Sequence, residues 1–445
     1  MDPPPPAADV RGALLVAALA WVLIVFNIVP EGFSYGATEG MPTRGSALSR
    51  AIWLAILSLS SLIIVWRNSL ARILLRAINP FFLALFLLAL CSVAWSIDPA
   101  VTIRRIVRLL AIVSFAFSLV LVAWHPRRFQ QVLRPVLAVM LLGSLVFGLA
   151  APGLAIHDAS DPGLAGAWRG LATHKNGLGS LASLGTIFWF HALLTREVRP
   201  SVAIAGTLLA AILLALSRSS TSIVATAFTV VMLVLVLRAP SGMRRMMSVV
   251  VVGFTAIILL YSLVVLQVVP GLMTLLLPIT AITGKDLTFT GRTEIWSIIR
   301  ERIDEHPVLG GGFGAYWVGE QPGSQSWEFL ERMYFYPGQA HNGYLDVLND
   351  LGAVGLILLL AYLAAFVWQG LSLLKLDRNQ GALYLALIFQ QLVSNLSESR
   401  WWNVLSVEFV VVTLATAALA RDLLESRLRA VLAAGQVRSE SPRRP

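Results

Sequence analysis

Five short polar clusters interrupt a chain that is otherwise rich in apolar residues. Three of them hold an arginine, and another begins with a histidine followed by an asparagine. Arginine binds phosphate through two parallel N–H donors and stays charged, whereas neutral histidine accepts a proton near neutral pH. The clusters occupy residues 173–176, 217–220, 290–294, 341–344 and 398–400.

Arg218, Arg292 and His341 are the strongest candidates for catalysis. A phosphate group that leaves in a reaction needs positive charge, and a hydroxyl that attacks needs a base, so the two arginines suit phosphate and His341 suits the base. The sequence places His341 in the first turn of a helix, where the helix dipole disfavours the imidazolium. Each assignment has an alternative that stays open. Arg218 is also explained by extension of its side chain to the membrane interface. His341 is also explained by capping or packing of a helix.

Other polar residues near the clusters are candidates for substrate binding. His174 and Lys175 suit sugar or phosphate, and capping of a helix explains them as well. A basic turn of three arginines within residues 104–108 suits phosphates, and extension of these side chains to a membrane interface is the alternative. Glu398 and Arg400 suit an ion pair. The substrate-binding candidates are Lys175, His174, Asn176, Ser217, Glu294, Asn342, Arg104, Arg105 and Arg108.

The composition of the 445 residues excludes a soluble globular domain. Hydrophobic residues make up 57% and charged residues 13%, and the mean hydropathy is +0.77. Backbone in lipid must bond internally, and apolar runs of about 20 residues without strict alternation indicate helices rather than a barrel. The single cysteine, Cys91, lies in an apolar run, which excludes a disulfide framework within the chain. We therefore predict an all-α polytopic membrane protein.

Twelve apolar runs are predicted to span the membrane. The proline-rich start lacks a basic region and a cleavage site, so no signal peptide is expected and the first span stays as an anchor. The runs cover residues 12–30, 46–66, 79–97, 106–124, 132–150, 174–194, 201–217, 221–237, 247–269, 341–368, 381–397 and 401–420.

The distribution of arginine and lysine predicts the orientation. Basic residues concentrate in alternate loops, after spans two, four, six, eight and ten, and in the C-terminal tail. Both termini are therefore expected in the cytoplasm, and all five polar clusters fall on the outer side. The net charge of +10 is explained by anionic lipid headgroups. It does not indicate a nucleic-acid partner.

The domain organisation follows from one long polar segment between the ninth and tenth spans. Long loops that carry many aromatic residues are typical of folded, functional segments rather than of disorder. The predicted parts are nine transmembrane helices (1–269), a periplasmic catalytic loop (270–340), transmembrane helices ten to twelve (341–422) and a cytoplasmic tail (423–445).

Residues 291–305 of this loop are predicted to form an amphipathic helix. Ile295, Trp296, Ile299 and Ile303 recur at helical spacing and form an apolar face. Arg292 precedes Trp296 by one turn and therefore lies on the same face, directed towards the protein. The helix is expected to lie flat on the membrane face, with His306 and the following proline and glycines ending it.

Four motifs, in this order and spacing, resemble the O-antigen ligase and polymerase family. They are LSRS at 216–219, TGRTEIW at 290–296, EHPVLG at 305–310 and HNGYL at 341–345. The resemblance covers roughly residues 170–400, while the first 150 residues agree only as membrane helices. It implies a fold of the GT-C-like membrane glycosyltransferase type. It also implies Arg218, Arg292 and His341 as functional residues.

The resemblance further implies transfer of a glycan from undecaprenyl diphosphate to an acceptor sugar, without a metal or other cofactor, on the periplasmic face of the bacterial inner membrane. The acceptor is a lipid-linked repeat in a polymerase or lipid A-core in a ligase. Membrane lipids and other polysaccharide-assembly proteins are the further partners. The motif GLATHKN at 170–176 is similar to the exopolysaccharide-polymerase branch.

Two other classes of function fit less well. A flippase or transporter of lipid-linked glycans would be expected to carry polar or broken helices near the bilayer midplane, whereas the charges here crowd one face. A metal-dependent enzyme would need clustered ligands, and neither an HExxH spacing nor an aspartate-rich pair is present. Polymerase, ligase and, more remotely, transporter remain open at this point.

Overall fold

The computed structural model describes residues 7–30, 46–122, 128–158, 163–265, 292–319 and 322–440. Within these ranges the chain is built from α-helices, which confirms the predicted fold class. The helices are α1 (Ala7–Ile28), α2 (Ala47–Trp66), α3 (Asn68–Ala77), α4 (Pro80–Cys91), α5 (Pro99–Val122), α6 (Arg128–Ala150), α7 (Pro152–Ala155), α8 (Lys175–Thr195), α9 (Pro200–Leu216), α10 (Ser220–Arg238), α11 (Ser241–Val265), α12 (Thr293–Glu305), α13 (Glu328–Met333), α14 (Gly343–Leu376), α15 (Arg378–Ser394) and α16 (Val407–Glu440).

Seven helices of the described ranges are long and apolar enough to cross a membrane, so the chain is a polytopic membrane protein. They are α1, α2, α5, α6, α8, α10 and α14. The run at 79–97, predicted as a span, is helical over Pro80–Ala94 and begins with α4, which is bent by 104° from α3. Asn79 caps α4 and Pro80 occupies its first turn, and a proline cannot continue a preceding helix. The count of twelve spans stays a prediction.

The bundle is layered by burial. α15 is buried along nearly its whole length, and it packs against α10 and α14. α2, in contrast, leaves Leu54, Leu62 and Val65 largely exposed. Exposed apolar side chains on a membrane helix face lipid, whereas a helix that is buried all round lies inside the bundle. α15 is therefore central and α2 peripheral.

Polar contacts join the helices at one end of the bundle. Gln130 Nε2 of α6 donates to Gln380 Oε1 of α15 at 2.8 Å. On the same α15, Tyr384 Oη donates to Asp422 Oδ2 of α16 at 2.6 Å. Satisfied polar pairs of this kind are the arrangement that a low-dielectric interior tolerates. The candidate functional residues lie at the opposite end, which we call the site end.

The segment after α12 is folded against the site end. The amide of Phe313 donates to Ser92 Oγ at 3.0 Å and that of Gly311 to the carbonyl of Asn349 at 2.9 Å. A Cβ at Gly310, where φ is +70°, would lie 2.4 Å from the backbone of Asp350, so glycine is required for this close approach. Folding of the predicted loop against the helices is confirmed for 292–319 and 322–340, while 270–291 lies outside the described residues.

The predicted amphipathic helix is confirmed as α12. Ile295, Trp296 and Ile299 are buried, and the helix packs on α14. Ser297 lies on the exposed face, which fits the polar stripe expected from helical periodicity. The sequence therefore specified both the helix and its buried face.

The predicted orientation can be tested by labelling single cysteines in a protein whose native Cys91 is changed to serine. Ser297 of α12 and Gly242 of α11 are exposed, and a Cβ at Gly242 meets no atom within 4 Å. Because basic residues concentrate on the side of Gly242, Ser297→Cys should react with an impermeant maleimide added outside. Gly242→Cys should react only in inverted vesicles. Reaction of both from the cytoplasmic side would refute this orientation.

Candidate active site

The carboxylate of Glu398, in the segment between α15 and α16, is the centre of the candidate site. Its side chain is only 3% exposed. Oε1 accepts from Asn176 Nδ2 at 2.9 Å and lies 3.8 Å from Arg292 Nη2. Oε2 lies 3.2 Å from Arg400 Nη2 and 3.9 Å from His341 Nδ1. One carboxylate therefore joins residues from four separate parts of the sequence.

The groups around this carboxylate keep it ionised. Burial alone would raise the pKa of Glu398, but the His341 imidazole and the Arg400 and Arg292 guanidinium groups lower it to about 2. The site therefore contains a fixed negative charge at neutral pH.

The backbone around Glu398 is held by Asn395 and Arg400. Asn395 Oδ1 accepts from the amides of Arg400 and Trp401, each at 2.8 Å. A Cβ at Gly343 would lie 2.0 Å from that same oxygen, so the start of α14 fits against this turn only with glycine. Arg400 also lies 3.4 Å from Glu408 of α16, which ties the turn to the last helix.

His341 has a constrained backbone. Its φ of +52° lies in the left-handed region, which costs a non-glycine residue on the order of 1 kcal/mol or more. The carbonyl of Ala340 accepts from Trp296 Nε1 at 2.9 Å, and the amide of Asn342 donates to Ser399 Oγ at 3.2 Å. Bonds on both sides thus hold the backbone of His341, whose side chain is 18% exposed.

The expected place of His341 in the first turn of a helix is wrong, because α14 begins at Gly343 and Asn342 is its cap. Asn342 Oδ1 accepts from the amides of Tyr344 and Leu345, each at 3.1 Å. Asn342 is fully buried, so a direct sugar contact would require these bonds to open. In this structure Asn342 caps α14 directly after His341.

Arg292 directly precedes α12 and keeps its side chain 21% exposed. Burial lowers the pKa of the guanidinium, and the Glu398 carboxylate opposes that shift. An arginine remains charged in proteins even so. Arg292 therefore presents a partly dehydrated positive charge at the surface of the site, where an anionic ligand would interact strongly with it.

Arg218 lies in the turn between α9 and α10, again with a left-handed φ of +50°. Its Nη1 donates to the carbonyl of Ala165 at 3.0 Å. The neighbouring Ser219 Oγ donates to Asn176 Oδ1 at 3.1 Å, so this turn connects through Asn176 to Glu398. Ser217 is fully buried and donates to the carbonyl of Leu214 at 2.7 Å, which shapes the turn.

The α8 residues form the start of that helix. His174 caps α8, since its Nδ1 accepts from the amide of Asn176 at 3.3 Å, and this confirms the capping alternative for His174. Lys175 Nζ donates to the carbonyl of Gly163 at 3.2 Å. Glu294 is exposed in the first turn of α12. Glycan or phosphate binding by these residues stays a prediction.

The three arginines of α5 differ in their surroundings. Arg105 Nη2 donates to the carbonyl of Trp317 at 3.2 Å and the side chain packs beside Gly314, so it holds the folded segment. Arg108 lies 5.7 Å from the ring centroid of Trp53, in the range of a cation–π contact. Arg104 is exposed. Arg105 is therefore bonded within the protein, and phosphate binding by this basic turn stays a prediction.

The sequence predicted the Glu398–Arg400 ion pair, which is confirmed, but not that Glu398 also contacts Asn176, Arg292 and His341. An acidic residue between two apolar runs, on the same predicted side as the basic motifs, was the available signal. Among the residues that the structure describes, no group of three or more histidine, cysteine, aspartate or glutamate side chains comes close enough to hold a metal ion.

Residues 205–360 match a family described as O-Antigen ligase. The chain is also 31% identical over 323 residues to the exopolysaccharide production protein ExoQ of Rhizobium meliloti (strain 1021), and the match covers 68% of each chain. The family range includes Arg218, Arg292 and His341. Asn176 and Glu398 lie outside it, so their part in the site comes from the structure.

The stability of the protein should depend on Glu398 in a pH-dependent way. The folded-state pKa of about 2 lies below the ordinary 4.5, which corresponds to about 3 kcal/mol of stabilisation. A depressed carboxyl pKa stabilises the fold fully above about pH 4.5, and this is lost as the pH falls towards 2. The melting-temperature difference between wild type and Glu398→Gln should therefore be large at about pH 5 and smaller at about pH 3.

Asp304→Asn, on the opposite, polar face of α12, is the control and should show little difference at either pH. A difference for Glu398→Gln that stays constant between the two pH values would contradict the assigned ionisation.

Proposed function

Since this chain belongs to the O-antigen ligase family, it is a membrane polysaccharide ligase or polymerase, and we propose that it joins glycan repeat units carried on undecaprenyl diphosphate. The observation that carries the proposal is the convergence of Arg292, His341 and Asn176 on the buried carboxylate of Glu398. The similarity to an exopolysaccharide production protein favours the polymerase over transfer to lipid A-core.

The acceptor hydroxyl is activated by His341. Its Nδ1 is the nitrogen nearest to Glu398, which leaves Nε2 for the substrate. As the acceptor oxygen attacks the anomeric carbon of the donor, its proton passes to Nε2 and the imidazole becomes positive. The ionised Glu398 stabilises that charge, as a carboxylate behind a catalytic histidine does.

The leaving group is stabilised by arginine. The bond between the anomeric carbon and the diphosphate oxygen breaks, and the electron pair stays on undecaprenyl diphosphate. Arg292 is partly buried beside Glu398, and Arg218 is exposed in the adjoining turn. Both offer planar N–H donors that match phosphate oxygens. Arginine thus supplies the positive charge that metal ions provide elsewhere, and the reaction is proposed to need no metal.

The position of the site argues against transport as the main function. Glu398 and its partners lie at one end of the bundle, between the starts of α8 and α14 and the end of α15. A transporter site is expected near the middle of the helices, at broken segments. The orientation proposed from the basic loops puts this end on the periplasmic face, where lipid-linked repeats would be joined.

Removal of the proposed catalytic groups should abolish transfer without loss of the folded protein. Arg218→Ala, Arg292→Ala and His341→Ala should each lower the rate by about a hundredfold or more. Arg218→Lys and Arg292→Lys should recover little, because an ammonium cannot form the bidentate contact. Arg50→Ala, an exposed arginine of α2, is the control and should keep near wild-type activity. Wild-type rates in His341→Ala would rule out its role as base.

The acceptor can be identified with purified protein given only lipid-diphosphate-linked repeats, with EDTA present. A polymerase should produce a ladder of lengthened products because both donor and acceptor are then available. Transfer that begins only when lipid A-core is added would identify a ligase. Activity that is lost in EDTA and returns with Mg²⁺ or Mn²⁺ would contradict the metal-independent mechanism.

A further inference from the structure

Two exposed aromatic side chains lie next to one another at the end of α13. Tyr334 is 89% exposed and Phe335 55%, whereas the following Tyr336 is buried. Among the large hydrophobic side chains of the described residues, Tyr334 is the most exposed. Neighbouring exposed aromatics in a folded protein commonly mark a binding surface, because apolar area left in water destabilises the free protein.

The helix that precedes these rings, α13, is held in place by hydrogen bonds to its neighbours. Arg332 forms two hydrogen bonds with Glu301 of α12, at 2.7 and 2.9 Å. Glu328 Oε1 accepts from Arg302 Nε at 2.8 Å and from Tyr316 Oη at 2.7 Å. α13 is thus fixed to both α12 and the preceding segment.

The packing and backbone at the two ends of α13 direct the rings outwards. Phe329 is fully buried and stacks on Trp317, with ring centroids 5.2 Å apart. Tyr334 has a left-handed φ of +54° and closes the helix through a bond from its amide to Leu330. A tyrosine in this conformation is strained, and the strain persists because the surrounding contacts determine it.

The helix that carries the two rings is attached to the polar face of α12 rather than to its apolar face. α12 packs its apolar stripe on α14, and α13 is bonded to the charged opposite face through Glu301 and Arg302. The exposed Trp368, by contrast, lies on α14 within a candidate membrane span and suits lipid. An exposed aromatic pair bordered by carboxylates and guanidinium groups fits a ligand with both apolar and hydroxylated faces.

The pair is also close to the candidate active site along the chain. Phe335 precedes His341 by six residues, a distance of at most about 20 Å even for an extended chain. The intervening Ala340 is fixed to α12 by the bond from Trp296. A chain of sugars that extends from the site could therefore reach these rings.

We propose that Tyr334 and Phe335 bind the glycan chain as a stacking platform, an inference that rests on the proposed function. The C–H faces of pyranose rings would lie on the aromatic faces, while the sugar hydroxyls stay in water or meet the charged groups of α12 and α13. Such a platform holds the product beside the site between additions. It therefore predicts longer chains than the reaction centre alone would produce.

The platform is tested by binding of the polysaccharide made by cells that carry this protein, cleaved from its lipid, to the purified full-length protein. Tyr334→Ala and Phe335→Ala should each weaken binding up to about tenfold, the effect of losing one aromatic contact. Tyr334→Phe and Phe335→Tyr keep the rings and should bind as wild type. Val308→Ala, which removes an exposed apolar side chain of the same folded segment, should also bind as wild type.

In the ladder assay the Tyr334→Ala/Phe335→Ala protein should give shorter products than wild type at equal protein. Melting temperatures close to wild type would show that the loss is local. If the double variant binds glycan and forms ladders as wild type does, the proposed stacking platform is wrong. This holds even if the wild-type ladder supports the proposed polymerase reaction. Altered reconstitution into phospholipid vesicles with unchanged glycan binding would mean a membrane contact instead. A wild type that binds glycan through these rings but forms no ladder would refute only the proposed reaction.

Discussion

The structure of the site depends on one buried negative charge, the carboxylate of Glu398. An ionised carboxylate in a dehydrated environment costs several kcal/mol unless charged or hydrogen-bonding partners surround it. Those partners come from the start of α8, the residue before α12, the residue before the cap of α14, and the turn after α15. Correct packing of each element is therefore a condition for stabilising the same charge, and the site forms only when all of them meet.

Two of the proposed catalytic residues lie in turns, and these turns show how the fold restricts side-chain position. Arg218 and His341 both have left-handed backbones and both lie just before a helix. Helix starts are fixed by caps and packing, whereas a long loop would allow the same side chains to move. Asn342 caps α14 beside His341, and Ser217 closes the turn that contains Arg218. The strain is thus supported by contacts that leave the guanidinium and imidazole partly accessible.

The features predicted correctly from the sequence are those that depend on residues close together in the chain. The period of the apolar residues in 291–305 predicted α12 and its buried face, and the apolar runs predicted a polytopic helical bundle. Motif order predicted Arg292 and His341, which the structure brings to one carboxylate. The contacts of Glu398 with Asn176 and Arg292 join residues that are distant in sequence, and no local pattern encodes them. The bend between α3 and α4 and the interior bond of Arg105 were missed for the same reason, since both depend on tertiary packing.

In the proposed mechanism the leaving diphosphate is bound by arginines arranged around Glu398 and His341. The most direct measurement is an electron cryomicroscopy map of the protein with undecaprenyl diphosphate bound. We expect phosphate oxygens within hydrogen-bond distance of the Arg292 and Arg218 guanidinium groups, with His341 facing the side from which an acceptor would approach. Phosphates bound instead at Arg104 and Arg108, with the surroundings of Glu398 unoccupied, would contradict it.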